Sequence, residues 1–169
     1  VAFPQDQMKI LAYNRVITDL NGLNSKAFLE RLRDEFDIQC SDEPVVPETK
    51  GVMGAYFDGC WYTLTLREKT KSTDPVDSLD VSALSNRVLG PILGINDLRK
   101  DKRIDFVGGI RGTQELVRRV DSGAMACAFS LYPTRIEELM SVADGGQVMP
   151  PKSTWFEPKL ADGLISHVL

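Results

Sequence analysis

The stretch Ile104 to Thr113, read as IDFVGGIRGT, holds the residue types and spacing that point most directly to chemistry. A short apolar run ends in two glycines, an arginine follows, and a helical pattern opens. Glycine after a strand lets the main chain turn sharply and leaves no Cβ between backbone and ligand. The helix start turns unpaired N–H groups, and the positive end of its dipole, to the same place. Arg111 adds a fixed positive charge. These are the parts of an anion site, above all a phosphate site. In that reading Gly108, Gly109 and the Thr113 amide wrap the phosphate, Arg111 is the counter-charge, and Thr113 caps the helix or bonds the ligand. A tight strand-to-helix connection with an exposed arginine fits the same letters equally well.

A second candidate is the proline-stiffened run Pro150 to Lys159, PPKSTWFEPK. Long irregular loops in compact domains often serve function. Trp155 and Phe156 read as core plugs, which leaves Lys152, Ser153 and Thr154 as the opposite wall of the phosphate site. Lys152-Ser153 looks like the end of a phosphate-binding P-loop, but the upstream glycines are missing. Mg²⁺ would enter through the phosphate, with Asp105 and Glu157 as the carboxylates to consider.

Other chemistries find little support. The one histidine, His167, lies in an apolar run, and no serine sits in a G-x-S-x-G elbow. Cys40, Cys60 and Cys127 are odd in number and form no C-x-x-C pair, so a structural zinc is not expected and reduced, cytoplasmic thiols are. The net charge of −4 argues against a dedicated nucleic-acid or membrane binder. Nucleic-acid binding would need Arg99, Lys100, Lys102 and Arg103 on one face with Arg118 and Arg119.

The elements that must position these residues follow from periodicity and punctuation. Met8–Thr18 reads as a strand interrupted near Tyr13-Asn14. Ser25–Phe36 is a helix capped by Asn24 or Ser25. Ser41–Lys50 is a loop. Gly51–Arg67 is a hairpin turning at Asp58-Gly59. Ser78–Leu89 is a helix with Asp80 as cap, and Ile92–Ile95 a short strand. Ile104–Val107 is a strand, Thr113–Ser122 a helix, and Ala124–Leu131 a strand with its bulky residues at odd positions. Thr134–Asp144 is a helix with Thr134 and Glu137 as capping box. Gln147–Asp162 is irregular and Leu164–Leu169 a final strand. Glu68–Pro75 is a polar linker. It suggests a strand-helix-hairpin lobe over 1–73 and a second lobe over 74–169, together a mixed α+β fold. Val1-Ala2-Phe3-Pro4 reads as mid-protein sequence, so a longer protein, with its N-terminal region as a partner, is expected.

Two resemblances rest on these residues. The stretches ILAYNRVITDLNGL, DSLDVSALSNRVLGPILGI, DKRIDFVGGIRG, AFSLYPTRIEELM and MPPKSTWFEPKLADGLISH resemble the C-terminal portion of a bacterial and archaeal family known only as domain of unknown function 1015. That family implies no activity. Residues 78–146 resemble the ParB/sulfiredoxin fold. There a helix leads into a P-I-L strand, here Pro91-Ile92-Leu93, and a second strand ends in a Gly-rich turn with a basic residue, here Gly108 to Arg111. The resemblance implies nucleotide phosphates at that turn. The chain departs from it in two places. Ile110 stands at the sulfiredoxin cysteine position, so that chemistry should be absent, and Gly112 replaces the second basic residue. No helix-turn-helix follows residue 146.

The function expected is therefore binding of a nucleotide or other phosphorylated metabolite, with or without Mg²⁺. A non-catalytic interaction or scaffold domain, with GG-I-R-G as a mere turn, is the alternative. A ParB-like nucleic-acid module is the third.

Overall fold

The computed structural model describes residues 8–68 and 72–158. Among them, eight strands in two antiparallel sheets and four α-helices give the mixed α+β architecture expected. The strands are β1 (Lys9–Leu11), β2 (Tyr13–Ile17), β3 (Phe36–Ser41), β4 (Val52–Phe57), β5 (Cys60–Leu66), β6 (Ile104–Gly108), β7 (Cys127–Leu131) and β8 (Trp155–Glu157). The helices are α1 (Ser25–Arg33), α2 (Asp80–Leu84), α3 (Gly112–Asp121) and α4 (Ile136–Asp144). The large sheet runs β3-β5-β4-β7-β2-β6, and β1 pairs with β8 in a small one.

Side chains alternate across the sheet. Ile17, Met53, Leu64 and Phe129 face one core, under α1 and α2. Val16, Tyr56, Trp61 and Ala128 face another with Leu116 of α3. Cover on both faces explains why every residue of β7 is buried. Because β7 lies between β4 and β2, strands from either side of residue 73 share one sheet.

Several local expectations hold. The first strand breaks at Ala12, where the chain passes from small sheet to large. Asn24 caps α1 by accepting from the Ala27 N–H at 2.8 Å. Asp58 and Gly59, both at positive φ, turn the β4–β5 hairpin.

Others need correction. The helix expected to reach Phe36 stops at Arg33, because Phe36, Ile38 and Cys40 alternate in a strand paired with β5. Ile92–Ile95 is not a strand. Ser85–Leu89 widens into a π-helical turn, with the Gly90 N–H donating to the Ser85 carbonyl, and the helical bonding runs on through Ile92 and Leu93 to the Val88 carbonyl. Asp80 does not cap α2; its Oδ1 instead accepts from the Gly51 N–H at 2.9 Å. The α4 cap is shifted by one residue: Glu138 accepts from the Arg135 N–H, and the Thr134 hydroxyl donates to the Ser153 carbonyl. The irregular run from Gln147 contains β8, whose partner β1 lies at the far end of the chain. The expected strand Leu164–Leu169, with His167, lies outside the described residues.

Candidate functional site

The strand-to-helix turn forms as expected, but its glycines have reasons that the local sequence conceals. A Cβ on Gly108 would lie 2.8 Å from Cε3 of Trp155, whose ring packs on this spot and edge-on against Tyr13. A Cβ on Gly109 would lie 2.9 Å from the Ala12 carbonyl oxygen, which already accepts the Gly109 N–H at 2.7 Å. Both glycines thus permit close packing of the protein on itself. Gly112 differs: its φ is +66° and a Cβ there would meet nothing within 4 Å.

Beyond the glycines the turn is open to solvent. Residues 109–111 make a single 3₁₀ turn, and α3 follows without any side-chain cap on its first N–H groups. Thr113 lies inside the helix and does not cap it. Arg111 is exposed, and no ion pair among the described residues includes it. The neighbouring carboxylates are already engaged. Glu115 accepts from Arg118 and Arg119, which hold it down at about 2, and Asp105 pairs with Arg119 at 2.5 Å.

The second candidate loop reaches the same rim of the sheet. Tyr13 pairs with Gly108 across the β2–β6 ladder, and the Lys152 ammonium lies 5.8 Å from the Tyr13 ring and 5.7 Å from that of Phe106. Lys152 and Trp155 are therefore brought to the turn. Ser153 is not presented to a ligand: it is buried, and its hydroxyl donates to the Pro150 carbonyl. Thr154 is half-buried beside it. Glu157 accepts the Trp155 indole N–H at 2.6 Å. Among the described residues no three His, Cys, Asp or Glu side chains cluster closely enough to hold a metal ion.

One residue of this rim has no signal in the sequence beyond its own letter. Arg15, on the strand next to the turn, is fully buried. Its guanidinium donates to the Tyr13 carbonyl and, at 2.9 Å, to the Lys152 carbonyl, and lies 5.6 Å from the Phe106 ring. Its Nε has no partner, and among the described residues no carboxylate pairs with it. Burial pushes its pKa down to about 9.

The basic groups proposed for nucleic acid are dispersed among acids. Arg103 is held by Asp101 and Asp19, and Arg118 and Arg119 by Glu115. Arg99 and Lys100 instead line a cleft of about 510 Å³ with Pro150 and Pro151.

Residues 1–82 match the model of the family described as "Protein of unknown function (DUF1015)". The relationship expected from the sequence is supported over that stretch. No curated protein matches the chain. Among solved structures it is similar to a free serine kinase in complex with AMP, at 14% identity and a TM-score of 0.51, covering 92% of this chain and 57% of that one. A conserved hypothetical protein from Pyrococcus furiosus is similar at 14% identity and a TM-score of 0.52, over 92% of this chain and 59% of that one. The chain thus spans less than two thirds of either relative, and at this identity the likeness shows a shared fold. No helix among the described residues is long and apolar enough to cross a membrane.

Proposed function

We propose that this chain binds a nucleotide or another phosphorylated metabolite where β6 turns into α3. The observation that carries this reading is an exposed, unpaired Arg111 at the uncapped start of a ten-residue helix. The N–H groups of this turn other than those of Gly109 and Gly112, which already donate to the Ala12 and Gly109 carbonyls, would take phosphate oxygens and Arg111 their charge. Lys152 would close the site from the β2 side, with the Thr113 and Thr154 hydroxyls available to the ligand. Fold neighbours that hold AMP add support. The ParB/sulfiredoxin resemblance of residues 78–146 lends this reading its Gly-rich turn alone, because Pro91-Ile92-Leu93, the first strand of that fold, forms no strand here.

Thermal unfolding with AMP, ADP, ATP and sugar phosphates tests it. A ligand at a hundred times its dissociation constant adds about 2.7 kcal/mol. That shift should vanish in Arg111→Ala and shrink in Lys152→Ala. No shift with any phosphorylated ligand, or one indifferent to Arg111, would leave the scaffold reading. One observation favours that second reading: Ile110, beside Arg111, is 65% exposed, as a contact residue would be.

A further inference from the structure

Two of the three thiols share one face at the far edge of the large sheet. Cys40 lies on the edge strand β3, paired with Tyr62 of β5, and Cys60 opens β5 two residues before Tyr62. Residues two apart on a strand point to the same face, and so do directly paired ones. Cys40, Tyr62 and Cys60 therefore continue the face of Phe36 and Leu64 past the end of the core, where both cysteines are exposed. The Tyr62 ring stacks at 4.7 Å on Phe57 of β4, on the side of β5 away from Cys40. Its hydroxyl responds to both sulfurs: burial, then Cys60, then Cys40 raise its pKa.

The spacing decides which bond two thiols so placed can make. Diagonal neighbours on paired strands lie about 7–8 Å apart at Cα and somewhat closer at Cβ. A disulfide needs about 3.8 Å between its Cβ atoms. A metal–thiolate bond is about 2.3 Å long, so a linear sulfur–metal–sulfur unit holds its Cβ atoms about 5.5–6.5 Å apart. The pair is thus too wide for a disulfide and fits a single ion between two sulfurs. Among the described residues no third His, Cys, Asp or Glu completes a cluster with them, and two ligands are too few for structural zinc. Soft thiolates select Cu(I), which two of them satisfy.

We propose that Cys40 and Cys60 form a surface site for a soft monovalent metal ion, Cu(I) by its chemistry, held linearly between the two thiolates. Binding exchanges two S–H bonds for two S–Cu bonds and releases two protons. An exposed two-coordinate ion leaves room for an incoming third thiolate, so the site suits an exchangeable ion and not a structural one. Cys127 takes no part: it is 0% exposed in β7, and burial pushes its thiol up. The site goes beyond the phosphate reading and does not rest on it. β3 and β6 are opposite edges of the sheet, five strand spacings or about 24 Å apart.

Anaerobic titration of the whole chain with Cu(I), in competition with the chelator bicinchoninate, provides the test. One Cu(I) per chain, with two sulfur ligands by X-ray absorption, is the expected result. Cys40→Ser and Cys60→Ser should each lower the affinity about a hundredfold or more, because either thiolate alone loses the advantage of the pair. Both variants should keep the thermal midpoint of the wild type, and Cys127→Ala should leave the titration unchanged. No Cu(I) retained against the chelator, one ion per two chains, binding that survives loss of either surface cysteine, or Zn²⁺ held as tightly would each overturn the proposal. Arg111→Ala should leave Cu(I) binding untouched, so failure of the nucleotide site and failure of this one read out separately.

Discussion

At the scale of the residue, Arg15 poses the sharpest energetic question. A fully buried guanidinium answered by two carbonyls and a ring face costs stability relative to an apolar side chain of its size. Arg15→Met should therefore be as stable as the wild type or more so, by up to about 3 kcal/mol in denaturant melts, whereas Arg15→Ala should lose stability through its cavity. Asp80 makes an independent pH prediction. An aspartate ordinarily releases its proton near 3.9, but folding holds Asp80 up at about 6. Between those values the folded chain keeps a proton that the unfolded chain has released. Stability contributed by Asp80 is thus fully present below about pH 4 and is lost as pH rises to about 6, at about 1.4 kcal/mol per pH unit. Denaturant melts of the wild type and of the Asp80→Asn variant between pH 4 and 7 isolate it. The wild type should lose stability relative to the variant up to about pH 6, and the gap should stay level above that. Gly108→Ala should cost about 1–3 kcal/mol, because its Cβ meets a ring that cannot withdraw without unpacking Tyr13. The need for glycine there was invisible locally, since the ring belongs to Trp155, far along the chain.

At the scale of the element, signals confined to a few neighbouring residues were legible. Asp58-Gly59 specified its hairpin, and Asn24 its helix start. Asn24→Ala should cost about 1 kcal/mol in thermal or chemical unfolding, with α1 fraying first by hydrogen exchange. Where a polar side chain had a distant partner, the local rule misread it. Asp80 has the position of a cap but turns to Gly51, and Thr134 turns to Ser153. Pro91-Ile92-Leu93 has the composition of a strand, yet the π-turn before it carries helical bonding through the apolar run. Phe36 looks like the last turn of α1, but its alternation with Ile38 belongs to an edge strand. The phosphate turn itself was legible as a turn, and the unpaired state of Arg111 was not, because it depends on Asp105 and Glu115 being taken by α3.

At the scale of the whole molecule, the interleaving of β7 between β4 and β2 sets the cooperativity. The polar linker over 68–75 suggests two lobes, but a sheet shared across residue 73 should melt as one unit. Calorimetry should show a single transition, and two resolved transitions would restore the two-lobe division. The clasp between β1 and β8 has a mechanical meaning as well. Lys9 faces Glu157 and Leu11 faces Trp155, so the chain leaves the clasp on both sides at the Lys9–Glu157 end. Tension applied between residues 8 and 158 loads those ladder bonds one at a time, as a zipper, and not together in shear. Single-molecule pulling from these positions should give an early low-force step of about 2 nm as the two short strands peel. The next link to bear load is the hydrogen bond from Arg15 to the Lys152 carbonyl, which spans 137 residues of sequence.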